Sequence, residues 1–222
     1  MAVLILDYDG TLHECLAIYA PAIRHAYEYA AWSGASTYRE LSDDEISQWI
    51  GFSGAQAWET LLPEASREFR DSCTKLVGKE MVALILAGKA RLYPHAAEVL
   101  EELKNNGHIL IFLSNCRRSY MDAHITYFGL DRYFEAFYCA EDYDNLPKYR
   151  IFESILEDFS QFLPDEYLIV GDRHKDMELA ELHGLASIGC TYGYGSLEEL
   201  KSATLLCDSL QDLPAHVKFL CK

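Results

Sequence analysis

The chain has 222 residues, with 35 acidic against 19 basic side chains and a formal net charge of -16 at pH 7. A field of that sign repels nucleic acid and anionic lipid, so neither is expected as a partner, and a phosphorylated substrate needs a local cation. A hydrophobic content of 50% suffices for one large core, with or without an inserted module.

The chain opens on Val3-Leu4-Ile5-Leu6, a short apolar run that leads into Asp7-Tyr8-Asp9-Gly10-Thr11-Leu12. A run of this length bounded by a turn signal is expected as a fully buried strand. Alternation along it predicts that Asp7 and Asp9 point one way and Tyr8 the other. Paired carboxylates at a strand end suit either a plain turn or a metal-assisted nucleophile with an acid/base partner.

Positions 14 to about 90 read as helices only. Leu16–Trp32 is the first, ending at Ser33-Gly34. Ser42-Asp43-Asp44-Glu45 is a capping box that opens a helix carrying Ile46, Trp49 and Ile50. Ser53-Gly54-Ala55-Gln56 repeats the signal ahead of Trp58, Leu61 and Leu62, and Pro63 stops that helix. Phe69, Cys73, Leu76, Val77, Met81, Leu84 and Ile85 form a stripe at helical spacing, expected as bundle core.

From Tyr93-Pro94 onward, helix and strand alternate. Helices are expected over 96–105, 119–128, 150–162, 176–183 and 197–202, and strands over 108–113, 136–140, 166–170, 186–189 and 204–207. Such alternation implies a parallel sheet with helices on both faces, an α/β fold interrupted by an all-helical insertion. The expected division is a discontinuous core, 1–13 with 90–222, around a helical module, 14–89.

Seven scattered cysteines without a C-x-x-C pair suit reduced thiols and not a zinc site, and Cys116 is expected as a spacer. No secretion signal is visible, and Met81–Ala87, the longest apolar run, is too short for a membrane span. A cytoplasmic protein, monomer or weak dimer, is the expectation.

Three strand ends present polar groups to one edge of the sheet: Asp7 and Asp9, then Ser114 and Asn115, then Asp172 with Asp176. Lys148 stands before a helix between the last two. Carboxylate oxygens suit a hard ion such as Mg²⁺, the hydroxyl and a helix start suit a phosphate, and Lys148 supplies a point charge. In order, these are D-x-D-G-T, S-N, a lysine and G-D-x-x-x-D. The set resembles the haloacid dehalogenase superfamily of hydrolases, of the type with a helical cap inserted after the first strand. Thr191-Tyr192-Gly193-Tyr194-Gly195-Ser196 is similar to phosphoglycolate-phosphatase-like members.

The resemblance implies a Rossmann-like core and an Mg²⁺-dependent phosphatase acting on a small phosphorylated metabolite. It implies Asp7 as the nucleophile that becomes an aspartyl phosphate, and Asp9 as the general acid/base. Mg²⁺ would be held by Asp7, the Asp9 carbonyl, Asp172 and Asp176. Gly10, Thr11, Ser114, Asn115 and Lys148 would bind the phosphoryl group, Ser114 and Lys148 also stabilising it in transfer. Alternatives are a β-phosphoglucomutase-like sugar phosphomutase or a non-catalytic phosphate-binding protein. Arg150 competes with Lys148, which is favoured as a compact charge at a helix entry. His95 is expected as a loop residue, and Arg117 and Arg118 as a solvated helix start. Tyr19, Arg24, Ile50, Gly51 and Phe52 could face a substrate from the cap, with packing the better expectation for each.

Overall fold

The computed structural model describes residues 1–51 and 54–221. Phe52 and the Ser53 cap signal therefore lie outside the described residues. Six parallel strands form one sheet in the order β3-β2-β1-β4-β5-β6. They are β1 (Val3–Leu6), β2 (Ile109–Ser114), β3 (Ala136–Cys139), β4 (Tyr167–Gly171), β5 (Ala186–Cys190) and β6 (Leu205–Cys207). β1 is central: Val3 stands opposite Ile109 on one side and Tyr167 on the other.

All four residues of β1 are buried, as a parallel strand covered on both faces requires. The alternation sorts them. Val3 and Ile5 pack with Ile151, Phe152 and Ile155 of α7 (Lys148–Asp158) and with Leu179 of α8 (His174–His183). Leu4 and Leu6 join a second cluster that takes in α5 (Ala96–Asn105), α6 (Arg118–Phe128) and α9 (Leu213–Leu220). That cluster continues without a break into the helices between β1 and β2.

Those helices are α1 (Leu16–Trp32), α2 (Asp43–Ser47), α3 (Gly54–Leu61) and α4 (Arg67–Leu86). Ser42 and Ser66 cap α2 and α4, each hydroxyl accepting from the amide three residues on, at 3.2 Å. The stripe expected from the sequence is where α4 packs: Cys73, Val77, Met81 and Ile85 are buried, with α1 and α6 as the neighbouring helices.

Several boundaries differ from expectation for physical reasons. α2 stops at Ser47, so Trp49 and Ile50 lie in the turn after it; Glu45, the would-be capping partner, pairs with Arg39 instead. α7 starts two residues earlier and ends at Asp158, because Lys148 follows the N-terminal Pro147 and Phe159 is the last cap. Residues 197–202 form turns and no helix. α9, which the sequence pattern did not flag, buries Leu213 and Val217.

The chain crosses between sheet and helical block twice, at nearly the same place. Glu14 N–H donates to the Arg91 carbonyl at 2.9 Å, and Tyr93 N–H to the Leu12 carbonyl at 2.8 Å. His13 and Leu92 thus form an antiparallel bridge. The loop 191–196 ties the same junction from the other side. Tyr192 donates to the Thr11 carbonyl at 2.9 Å, and the Tyr194 hydroxyl accepts from Leu16 N–H at 3.0 Å.

This loop passes so close to the end of β4 that side chains do not fit. A Cβ on Gly195 would lie 1.8 Å from the Asp172 carbonyl oxygen, and one on Gly193 2.3 Å from Asp172 Cβ. Gly195→Ala is expected to destabilise the protein by about 1–3 kcal/mol, an overpacking cost, in urea unfolding; a midpoint equal to wild type would contradict this close approach.

Candidate active site

Beyond Leu6 the chain leaves the sheet by a tight turn. Leu12 and His13 both donate their amides to the Tyr8 carbonyl at 2.9 Å, and Gly10 takes φ +94°. A left-handed conformation favours glycine, and here a Cβ would also fall 2.2 Å from an Asp172 carboxylate oxygen. Gly10 is therefore set by the approach of two strand ends.

Strand alternation ends where the strand does. Asp7 and Asp9 were expected to share a direction, yet their side chains have separate partners. Lys148 at the start of α7 reaches back to Asp7 Oδ1 at 2.5 Å and to Asp176 Oδ1 at 2.6 Å. Asp176 on α8 also accepts from Arg173 N–H at 3.1 Å. Asp172 accepts from Tyr194 N–H at 2.7 Å and, more weakly, from the Thr11 hydroxyl at 3.4 Å. Asp7, Asp172 and Asp176 bring carboxylate oxygens within 4.8 Å of one another, all three buried.

Such crowding shows in their proton affinities. Burial, reinforced by Asp176 and only partly opposed by Lys148, pushes Asp7 up to about 7. Asp172 is raised by burial and by Asp7 and Asp176. Burial alone would lower Lys148; Asp176 and Asp7 outweigh it and hold the ammonium above its ordinary range. Three buried carboxylates served by one ammonium leave uncompensated negative charge, and their all-oxygen donor set fits a hard divalent cation.

Asp9 occupies a different pocket. Its Oδ1 accepts from the Tyr120 hydroxyl at 2.7 Å and stands 2.8 Å from His13 Nδ1. Behind them lies His124, its Nε2 3.4 Å from that of His13, with Tyr8 stacked on the His13 ring at 5.1 Å. Burial and then His13 drive His124 down to about 3, so it stays neutral. Burial would raise Asp9, but the His13 and Tyr120 hydrogen bonds hold it below the usual carboxylate range.

A cavity of about 480 Å³ opens between this edge and the helical block. Asp7, Asp9, Ser114, Asn115, Lys148 and Asp176 line its floor. Gly10, Thr11 and Asp172 do not line it; the first two stand against Asp172, so their place is beside the carboxylates and not on the cavity wall. Arg150 is paired with Glu153 at 2.9 Å on the outer face of α7 and stays away from the site. His95 is exposed and outside the cavity. From the helical block, Tyr19, Ile50 and Gly51 face the cavity, whereas Arg24 binds the Leu41 carbonyl and Asp43.

Several participants escaped the sequence reading. Arg173 donates to the Ile50 carbonyl and pairs with Glu199 at 2.9 Å, and Lys175 donates to the Gly51 carbonyl at 2.9 Å. They link the turn after α2 to the start of α8, although they occupy the spacer of the last motif. Cys116, expected as a spacer, lines the cavity, and Arg117 does too, while Arg118 pairs with Asp142. His13, Tyr120 and His124 gave one available hint: Tyr120 and His124 lie a helical turn apart on the buried face of α6.

The family model described as haloacid dehalogenase-like hydrolase matches residues 4–190. Phosphoglycolate phosphatase of Salmonella typhi is 24% identical, covering 93% of this chain and 88% of its own length. A 5'-nucleotidase of Pseudomonas aeruginosa is 30% identical over 157 residues, 70% of this chain and 64% of that protein. A solved structure of a predicted phosphoglycolate phosphatase from Haemophilus somnus superposes with TM-score 0.82 at 24% identity, covering 98% of each chain. With the family model spanning most of the sequence, the chain belongs to the haloacid dehalogenase-like hydrolases.

Proposed function

We propose that this protein is a Mg²⁺-dependent phosphatase of a small phosphorylated metabolite, working through an aspartyl phosphate, with the helices 14–89 acting as a cap over a core of 1–13 and 90–222. The observation that carries the reading is the separation of the two aspartates. Asp7 sits with Lys148, Asp176 and Asp172, while Asp9 faces the same cavity from a hydrogen-bonded socket of its own. A binding protein needs no second, independently held carboxyl; a nucleophile with an acid/base partner does.

Asp7, Asp172, Asp176 and the Asp9 carbonyl would hold Mg²⁺, which cancels negative charge so that a carboxylate can meet a phosphate. An Asp7 oxygen attacks phosphorus, the ester P–O bond breaks, and Asp9 gives its proton to the departing oxygen. Asp9 then takes a proton from water, whose oxygen attacks phosphorus and releases Asp7 and inorganic phosphate. Ser114, Asn115 and the Lys148 ammonium hold the transferring oxygens. The sockets of His13 and Tyr120 keep Asp9 ionised in the free site; a dianionic phosphate arriving beside it raises its proton affinity and readies it as the acid. The cap closes the site from water, and a cytoplasmic setting suits the free thiols.

Asp7→Asn is expected to lower phosphate release on the order of 10³-fold or more in the folded protein, because an amide cannot form the acyl phosphate. Near-normal turnover by the pure variant would end the proposal, and isomer formation from a hexose phosphate without phosphate release would favour a mutase. Tyr120→Phe removes one donor to Asp9 and is expected to reduce kcat about tenfold with KM little changed.

Asp7 binds its proton more tightly folded, near pH 7, than unfolded. The stability it contributes is therefore present at low pH and lost as pH rises through about 7. In chelator, wild type should lose thermal stability between about pH 4 and 7 relative to Asp7→Asn. Added Mg²⁺ should restore it, by about 2.7 kcal/mol at a hundredfold excess over Kd. Parallel melting curves for the two proteins across that range would contradict the assignment.

A further inference from the structure

The socket of Asp9 is built from donors of a different kind from those around Asp7. Asp9 Oδ1 stands 2.8 Å from His13 Nδ1, and Cys15 Sγ lies 3.8 Å from the Tyr120 hydroxyl that donates to Asp9. One carboxylate oxygen, one imidazole nitrogen and one sulfur thus gather within 4.8 Å of one another. The backbone brings them there. The turn at Gly10 folds His13 back against Asp9, the Cys15 amide donates to the His13 carbonyl at 2.9 Å, and Glu14 between them pairs with the exposed Arg91. His13 and Cys15 are buried, yet Asp9, Cys15 and Tyr120 line the cavity, so an ion has a way in.

The hydrogen bonds of this socket do not close without a cation. The Tyr120 carbonyl, 3.1 Å from His124 Nδ1, can only accept, so the neutral His124 carries its proton there and offers a bare Nε2. His13 Nε2, 3.4 Å away, is then the donor, which leaves His13 Nδ1 as a lone pair directed at the Asp9 carboxylate. These two acceptors share a single hydroxyl, that of Tyr120, at 2.7 and 3.2 Å. They stay together only with a positive charge between them: a second proton, or a metal ion. Burial, and then Asp9, push the Cys15 thiol well up, so it stays a thiol until a metal displaces its proton. A dication that replaces both protons, the one on sulfur and the one between His13 and Asp9, leaves the buried charge unchanged.

We propose that Asp9, His13 and Cys15 form a second metal site, selective for Zn²⁺ or a similarly soft ion over Mg²⁺, and that its occupation switches the enzyme off by withdrawing the Asp9 carboxyl from the phosphoryl group. Thiolate and imidazole suit zinc, whereas the three carboxylates of Asp7, Asp172 and Asp176 suit a hard ion, so the two sites sort metals by donor type. Zn²⁺ at bond lengths of about 2.0–2.3 Å holds tetrahedral ligands roughly 3.4–3.6 Å apart, a separation these three atoms reach by small side-chain shifts. The binding site stands by itself; the switch rests on the phosphatase reading. Because the Asp7 cluster keeps its own ion, excess Mg²⁺ does not relieve the inhibition. No cysteine pair marks the site in the sequence, since its ligands are three residue types in the pattern D-x-x-x-H-x-C.

The test titrates Co²⁺ into the reduced protein in excess Mg²⁺, follows the sulfur-to-cobalt charge-transfer band, and obtains the Zn²⁺ affinity by competition. Wild type is expected to show the band, and C15S and C15A to lose it and to bind Zn²⁺ about a hundredfold more weakly, at the upper end of what a lost metal partner costs. Asp7→Asn and C116S, altered elsewhere in the cavity, are expected to keep both. With an aryl phosphate as substrate, Zn²⁺ should inhibit wild type at saturating Mg²⁺, while C15S keeps most of its turnover and resists Zn²⁺. A band absent from wild type, retained in both Cys15 variants, or lost in C116S or Asp7→Asn would overturn the site. Zn²⁺ bound through Cys15 without inhibition would overturn the switch. Should wild type hydrolyse no phosphate ester, the band and its loss in the Cys15 variants would uphold the site and overturn the phosphatase reading alone.

Discussion

One ammonium group holds the carboxylate-bearing edge of the sheet together. Lys148 reaches two carboxylates from different strand ends, Asp7 after β1 and Asp176 at the start of α8, at 2.5 and 2.6 Å. Without that charge, three buried acids would face one another with nothing between them, and some would have to take up protons or leave the interior. The placement of α7 follows from the same need, since its first residue must reach across the edge of the sheet while Ile151, Phe152 and Ile155 anchor the helix beneath. A buried charge so placed is weak evidence of stability and good evidence of a site kept ready for another cation.

Around this centre the molecule separates two chemistries that the sequence writes two residues apart. Asp7 is surrounded by charge; Asp9 is held by the Tyr120 hydroxyl and the His13 ring. The turn at Gly10 produces the division by ending the strand at Leu6 and sending the chain back through Tyr8 and His13. A further division runs across the cavity, with acids on the floor and lysines on α4.

Much of this was legible in the residues. Val3–Leu6, the turn after it and the order of polar strand ends identify a parallel α/β sheet, and the helical stripe on α4 marks the inserted block. Lys148 was distinguishable from Arg150 because only the former stands at the helix entry. What was not legible depends on long-range approach. The separate socket of Asp9 needs Tyr120 and His13, which are 107 residues apart in the chain. The contacts of Arg173 and Lys175 with the turn after α2 depend on how the helical block seats over the sheet, and no local pattern encodes that. The early end of α2 at Ser47, ahead of Trp49 and Ile50, had no local signal either.

The position of β1 also governs how the chain must assemble. Its first residue, Val3, finds its two neighbours at Ile109 and Tyr167, so the middle of the sheet closes loops of more than a hundred residues. Closure entropy on that scale is overcome late, while the block of helices between can gather through near-neighbour contacts. During synthesis β1, four apolar residues with unsatisfied edges, waits for β2, which follows the whole helical block, and for β4 beyond it. The folding route thus places this whole carboxylate-bearing edge, Asp7 included, among the last parts of the fold to form.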